Sequence, residues 1–226
     1  MRYEIRDKRY EIQFVNTPIT NNLKMHKLLL LFLISLCIIK VSAQAQWEVD
    51  VVRNINPSNP NNQFWKSMSS TAKPIAVALP LGMLATSLIN HNKQLQKQSF
   101  EVLGSLVIAS ATTQLLKRIV QRPRPYQTYT DIYPDQIDNG YAFPSGHTTT
   151  AFSTAASLSI ITKKWYISVP AFAWATGVAY SRIYLGQHYP SDVFMGALVG
   201  TASGFASHWL MKKMMPSKKE MVKIIP

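Results

Sequence analysis

The amino-acid sequence predicts an all-α protein: a multi-helix bundle embedded in a membrane, with five core helices after an N-terminal signal or anchor segment. Three observations lead to this prediction. Five apolar runs of helical length follow one another between residues 74 and 211. Only 15% of the 226 residues are charged, against roughly 25% in an average soluble domain. Lysines collect on alternate links between the runs, a pattern typical of membrane proteins.

The first 45 residues divide into two predicted segments. Residues 1–24 are polar and are interpreted as an extension upstream of a start at Met25. Residues 25–45 have a short basic start, twelve apolar residues at 28–39, and small residues at the end. This is the form of a secretory signal peptide, because the apolar core is short for a membrane span of about 20 residues. A retained anchor is the alternative.

Residues 46–73 are predicted to be a polar segment on the outer side of the membrane. Pro57, Pro60 and several asparagines favour a loop, with a short helix over residues 62–69. Cys37 is the only cysteine, which excludes a disulfide framework and a thiolate metal site. The formal net charge is +13, which suits nucleic acid, an anionic membrane or a phosphorylated substrate. Because the lysines lie between apolar runs, the pattern favours a membrane and argues against nucleic acid.

The five core helices are predicted from runs rich in Ala, Ser, Thr and Gly, which allow close packing in membranes. Most runs have 14 to 19 residues, so hydropathy alone leaves a buried helical core open as an alternative. The runs are residues 74–89, 100–116, 148–161, 165–180 and 193–211. They form one predicted domain over residues 74–213, followed by a basic cytoplasmic tail over residues 214–226.

Assigning successive links between the helices alternately to the two sides of the membrane gives a topology. The links with Lys93 and Lys97, and with Lys163 and Lys164, then lie in the cytoplasm together with the tail, as the positive-inside rule requires. The outer links are also basic, and a negatively charged substrate would explain their cations. Those cations are Lys117, Arg118, Arg122, Arg124 and Arg182. The predicted location is a bacterial inner membrane, with the outer links facing the periplasm.

Two clusters of polar residues at the outer helix ends suit an anionic ligand. Lys117 and Arg124 are two cations separated by six residues, followed by proline; arginine can chelate two oxygens of an oxyanion while lysine acts as a point charge. Ser145 and Gly146 read as a helix start, whose free N–H groups bind phosphate, and His147 could donate a proton there. The alternatives are a basic membrane anchor and an ordinary helix cap.

A third cluster contains Arg182, His188 and Asp192. A carboxylate bound to one ring nitrogen makes the other nitrogen nucleophilic, whereas a salt-bridged helix cap is the alternative. Together the clusters supply what phosphoryl transfer needs: cations to neutralise charge, one histidine to attack phosphorus and another to protonate the leaving group. Asp192 is the only carboxylate among them, so a hard-cation metal site is less well supported.

The ordered motifs Lys-x6-Arg-Pro, Pro-Ser-Gly-His and Ser-Arg-x5-His-x3-Asp resemble the signature of the type 2 phosphatidic acid phosphatase and vanadium haloperoxidase superfamily. The resemblance covers residues 74–211, and no signature position departs from it. It implies that His188 is the nucleophile that forms a phosphohistidine, that Asp192 orients it, and that His147 is the general acid. The implied phosphate-binding residues are Lys117, Arg124, Ser145, Gly146 and Arg182.

The resemblance further implies a phosphatase without metal or cofactor, acting on a phosphorylated lipid or polyprenyl diphosphate at the outer face of the inner membrane. A soluble periplasmic acid phosphatase with the same residues stays open. A haloperoxidase would need bound vanadate, which nothing in the sequence supports. A membrane protein that binds phospholipid headgroups without turnover is the remaining alternative.

Overall fold

The computed structural model describes residues 46–215. The predicted upstream extension, the signal segment and nearly all of the basic tail lie outside these residues. The described part is all-α, as predicted, and contains no strand. Its helices are α1 (Gln46–Ile55), α2 (Gln63–Ser70), α3 (Ala72–Ile89), α4 (Lys93–Val120), the single turn α5 (Pro125–Thr128), α6 (Gly146–Thr162), α7 (Trp165–Tyr184) and α8 (Pro190–Met214).

The five predicted core helices are α3, α4, α6, α7 and α8, and each is somewhat longer than its apolar run. The largest difference is at α4, which begins at Lys93 because the Asn92 side chain caps it, accepting a hydrogen bond from Leu95 N at 3.0 Å. α8 begins at Pro190, a residue that fits the first turn of a helix because it has no N–H to leave unpaired.

The loop predicted directly after Gln46 is wrong, because residues 46–55 form helix α1. Val49 and Val52 lie on its buried face and pack against Ile183 and Tyr189. This packing supplies the stability that the mixed composition of the segment does not indicate. The short helix expected over residues 62–69 is present as α2, displaced by one residue.

The interior of the bundle is built from small and hydroxyl side chains. Gly200 of α8 faces α6 so closely that a Cβ atom there would lie 2.4 Å from the carbonyl oxygen of Thr149. Between α4 and α6, the Ser105 hydroxyl accepts hydrogen bonds from Ser153 at 3.1 Å and Ser157 at 2.8 Å. Close backbone contact and hydroxyl bonds of this kind hold helices together where lipid removes the hydrophobic driving force.

The outer surface of the bundle is apolar. Exposed large side chains include Val77, Leu81, Val107, Leu115, Val169, Leu198, Phe205 and Trp209. Among the described residues, two stretches are long and apolar enough to cross a membrane, Ala72–Ile89 and Lys93–Thr128, with windows of mean hydropathy 1.6 and 1.3. Only 22% and 33% of those windows are buried. An apolar surface around a small and polar interior indicates helices that meet hydrocarbon.

Backbone hydrogen bonds join the predicted clusters at one end of the bundle. Ser145 N, before α6, donates to Asp192 O at the start of α8 over 3.0 Å, and Ala142 N donates to Arg122 O over 2.8 Å. The C-terminal ends of α4 and α7 therefore meet the N-terminal ends of α6 and α8, as the predicted alternation of helices requires.

Candidate active site

A cavity of ≈ 340 Å³ lies where these four helix ends meet. Six of the eight predicted site residues line it: Lys117, Arg124, Gly146, His147, Arg182 and His188. Ser145 and Asp192 are fully buried and lie behind the lining. Lys73, Ser110, Thr113, Gln114, Asp138, Gly140, Thr149 and Thr150 complete the cavity wall.

Arg124 is held in place from several sides. Its Nε donates to Gly140 O at 2.8 Å, one terminal nitrogen donates to Gln187 Oε1 at 2.7 Å, and the other donates to Asp138 Oδ2 at 2.6 Å. Gln187 is itself fully buried. The guanidinium is therefore oriented before any ligand arrives, which is the preorganisation that oxyanion binding needs.

The other two predicted cations approach the cavity from different helices. Lys117 Nζ, near the end of α4, donates to the carbonyl oxygen of Tyr141. Arg182, near the end of α7, donates to Ser69 Oγ at 2.7 Å and is 2% exposed. Its Nε is buried without a hydrogen-bond partner among the described residues. The cavity can thus offer unused N–H groups to an anion.

Among the residues that the structure describes, Asp138 is the only acidic side chain in the cavity wall. Burial acts to raise the pKa of its carboxyl, but the backbone N–H of Gly140 and the charges of Arg124 and Lys117 outweigh burial and lower that pKa. Asp138 is therefore ionised at neutral pH and partly balances the cations of an empty cavity.

His188 lies beside Asp192, as predicted, although the two side chains are not hydrogen-bonded. His188 Nδ1 is 3.6 Å from Asp192 Oδ2 and has no hydrogen-bond partner in the described part of the chain. Asp192 accepts hydrogen bonds from an Arg122 terminal nitrogen at 2.7 Å and from Tyr189 N at 2.8 Å. The carboxylate is thus fixed by other donors and presents one oxygen toward the histidine ring.

Arg122 does not face the cavity, so the expectation that substrate charge explains this arginine is wrong. Its second terminal nitrogen donates to Glu48 Oε2 at 2.7 Å, and its guanidinium lies 4.0 Å from the ring centroid of Tyr189. Glu48 also accepts a hydrogen bond from Ser191 N at 2.9 Å. Arg122, Glu48 and Asp192 are all buried. Removal of any one of them would therefore leave a buried charge without its counter-charge, which is strongly destabilising.

The start of α6 has the predicted form, with one change. Ser145 is the N-cap by position, yet its side chain makes no capping hydrogen bond to the helix backbone. Its hydroxyl instead accepts from the Thr148 hydroxyl at 2.9 Å, behind the cavity wall. The backbone of Gly146 and the side chain of His147 face the cavity, so the helix start offers N–H groups to an anion there.

The surroundings of His188 keep its ring neutral. Burial, and then the positive charges of Arg182, Arg124 and Lys117, lower the pKa of this histidine well below its ordinary value of 6.5. A neutral imidazole keeps the lone pair that a nucleophile requires.

The sequence reasoning missed Lys73, Asp138, Gln187 and Glu48. Lys73 and Asp138 line the cavity, while Gln187 and Glu48 hold Arg124 and Arg122. Gln187 stands immediately before His188, and that position is the only signal that could have identified it. The other three lie outside the motifs, and only the folded chain brings them to the site.

Comparison with known proteins finds phosphatases among the relatives of this chain. The chain is 35% identical over 75 residues to the lipid A 4'-phosphatase of Bacteroides thetaiotaomicron, covering 33% of each chain. It is 31% identical over 125 residues to the undecaprenyl-diphosphatase of Sulfolobus acidocaldarius, covering 54% of this chain and 59% of that one. The matches thus span between a third and about three fifths of these relatives.

The fold also resembles a solved structure. The transmembrane PAP2 type phosphatidylglycerolphosphate phosphatase from Bacillus subtilis superposes with a TM-score of 0.64 and 20% identity, covering 85% of this chain and 98% of that one. The model of the PAP2 superfamily matches residues 98–216, which include all three motifs of the cavity. The chain therefore belongs to the PAP2 superfamily.

Proposed function

We propose that the protein is a membrane phosphatase that hydrolyses a phosphate monoester or diphosphate of a lipid through a phosphohistidine on His188. One observation carries the proposal: a buried histidine shares a cavity with three cations and has a fixed carboxylate 3.6 Å behind its Nδ1. Binding of a headgroup needs cations alone, whereas a histidine backed by a carboxylate suits nucleophilic attack.

In the first step, the phosphate binds among Lys117, Arg124 and Arg182, with N–H groups at Gly146 adding to the neutralisation. The lone pair of His188 Nε2 attacks phosphorus, and the bond from phosphorus to the leaving oxygen breaks. His147 gives its proton to that oxygen, so the leaving group departs protonated. A small movement brings His188 Nδ1–H onto Asp192 Oδ2, which stabilises the positive charge on the ring; such bonds commonly shorten when substrate binds.

In the second step, water hydrolyses the phosphohistidine. His147, now neutral, takes a proton from the water as its oxygen attacks phosphorus, and the phosphorus–nitrogen bond breaks with its electrons returning to His188. Inorganic phosphate leaves, and both histidines regain their starting states. The three cations stabilise the charge on phosphorus in both steps.

The membrane setting and substrate class rest on two further observations. The exposed apolar side chains of α3, α4 and α8 suit contact with hydrocarbon. Two relatives, a lipid A 4'-phosphatase and an undecaprenyl-diphosphatase, are enzymes of lipid-linked phosphates. The alternation of lysines supports the periplasmic face of the inner membrane as the side on which the cavity opens.

The test is phosphate release from a panel of lipid phosphates and diphosphates by purified protein, with EDTA present, for wild type and His188→Ala. His208→Ala is a matched control, because His208 pairs with Glu101 outside the cavity. We expect release that survives EDTA, is lost in His188→Ala and persists in His208→Ala. Lipid binding without release by wild type would instead support a headgroup-binding protein, and loss in EDTA would overturn the metal-free mechanism.

A further inference from the structure

Lys73 is a fourth cation in the cavity wall, and it belongs to none of the three motifs. It lies in the first turn of α3. Among the described residues its ammonium group has neither a hydrogen-bond nor an ion-pair partner, whereas Arg124 is paired with Asp138. The Lys73 side chain is exposed, so the fold places a solvent-accessible positive charge at this wall of the cavity.

Lys73 shares the cavity with the residue proposed to protonate the leaving group. Both Lys73 and His147 line the cavity. His147 lies in the first turn of α6, whereas His188 lies in the link between α7 and α8. A leaving group that receives its proton from His147 therefore departs within the cavity that holds the Lys73 charge.

A polar stripe on α4 continues this side of the cavity. Ser110, Gln114 and Lys117 recur at intervals of four and three residues, which places them on one helix face, and all three line the cavity. Thr113 beside them is 5% exposed, and its Oγ1 has no hydrogen-bond partner among the described residues. A buried hydroxyl without a partner is costly unless a ligand or water satisfies it.

We propose that Lys73, Ser110 and Gln114, next to Lys117 of the first phosphate site, form a second anion subsite, which holds a charged leaving group and thereby favours diphosphate esters over monophosphate esters. The inference rests on the proposed phosphatase function. Cleavage of a monoester releases an alcohol, which is neutral once His147 has protonated it and has no use for Lys73. Cleavage of a diphosphate ester releases a monophosphate ester, whose remaining negative charge the lysine stabilises.

The experiment compares farnesyl diphosphate with farnesyl monophosphate, which share one lipid chain, as substrates of wild type, Lys73→Gln and Lys73→Arg. Lys66→Gln is the matched control, because Lys66 is a lysine of α2 that binds Asn61 outside the cavity. We expect Lys73→Gln to lower kcat/KM for the diphosphate about tenfold, the effect of one charged hydrogen bond. The same change should leave kcat/KM for the monophosphate within about twofold of the wild-type value. Lys73→Arg should retain most of the preference for the diphosphate.

A binding measurement separates this inference from the proposed function. Thermal shifts of the same variants with inorganic pyrophosphate and inorganic phosphate report on the subsite without turnover. If wild type hydrolyses neither the farnesyl substrates nor any lipid phosphate of the panel above, the proposed function fails, yet a loss of pyrophosphate binding confined to Lys73→Gln still supports the subsite. If Lys73→Gln weakens both anions equally, lowers kcat/KM for both substrates equally, or changes nothing, the subsite is overturned while phosphatase activity stands.

Discussion

Burial of His188 links the chemistry of the cavity to the stability of the fold. The side chain is 2% exposed, and burial together with three cations lowers its pKa well below 6.5. In the unfolded chain the same group has a pKa of about 6.5. As the pH falls below that value, the unfolded chain binds a proton that the folded chain does not, so acid favours unfolding through this residue.

We therefore expect the midpoint of thermal unfolding in detergent to fall more steeply for wild type than for His188→Asn between pH 7.5 and pH 5. Asparagine is polar and of similar size but does not titrate. His91→Asn serves as control, since His91 is exposed and has a φ of 49°, which asparagine tolerates. Parallel curves for wild type and His188→Asn would contradict the expected effect.

Arg122 shows how a charge outside the cavity can control a residue beside it. Its guanidinium balances both Glu48 and Asp192, at 2.7 Å each, in a buried setting. Arg122→Gln leaves two buried carboxylates without their cation, so we expect the free energy of unfolding to drop by about 3 kcal/mol. Phosphatase activity should fall as well, because Asp192 loses a donor that fixes it behind His188.

Chemical denaturation in detergent, read beside kcat/KM, checks this expectation. Arg53→Gln is the control, because Arg53 pairs with Asp131 at the protein surface and surface pairs contribute little. Equal effects of the two substitutions would show that the buried position of Arg122 does not matter.

At the scale of helices, sequence patterns predict the long elements well and the short ones poorly. The core helices were predictable because each carries an uninterrupted apolar run bounded by polar or proline-containing links. Helix α1 was not, because its ten residues mix charged and apolar side chains and its burial depends on Ile132, Ile183 and Tyr189, far along the chain. Val49, Val52 and Ile55 do recur every third residue, a weak helical signal beside Pro57 and Pro60.

Some residues of the candidate site could likewise be predicted from the sequence, and others could not. Its motif residues could be chosen from sequence because they combine reactive side chains with fixed spacing and helix ends. Glu48 and Lys73 could not, because the partner of Glu48 lies 74 residues away and because Lys73 meets the other cavity residues only in the folded chain. The 3.6 Å separation of His188 and Asp192 was also beyond prediction, since the competing donors Arg122 and Tyr189 N set it.

The contact between α6 and α8 yields a prediction at this scale. Gly200→Ala would place a Cβ atom 2.4 Å from Thr149 O and 2.8 Å from Ser153 N, both backbone atoms that cannot move alone. We expect α8 to be pushed from α6 and the free energy of unfolding to fall by roughly 1–3 kcal/mol. Denaturation in detergent measures the loss.

Gly82→Ala provides the matched comparison, because a Cβ atom at Gly82 in α3 would meet nothing within 4 Å. Alanine there should stabilise the helix by roughly 0.5–1 kcal/mol, since it restricts the unfolded chain. A stabilising Gly200→Ala would show that the α6–α8 contact is not tight.

For the whole molecule, the distribution of lysines and the position of the cavity together imply an orientation. Ile137, 82% exposed in the loop before α6, lies on the side of the cavity, while Lys164 lies in the link between α6 and α7 at the opposite helix ends. In a Cys37→Ala background, we expect a membrane-impermeant maleimide to label Ile137→Cys in intact spheroplasts. Lys164→Cys should react only after the membrane is opened; the reverse pattern would place the cavity in the cytoplasm.

The ion pair between Glu48 and Arg122 also bears on how segments of this protein could be exchanged with those of a relative. The segment that matches the superfamily begins at residue 98, yet Glu48 and Lys73 both come before it. A chimera that joins residues 98–216 to N-terminal helices without a carboxylate and a lysine at these two positions would leave Arg122 short of one carboxylate and the cavity short of one cation. Such an exchange would carry over the motifs without the partners that position them, so any transplant of this domain should begin no later than Gln46.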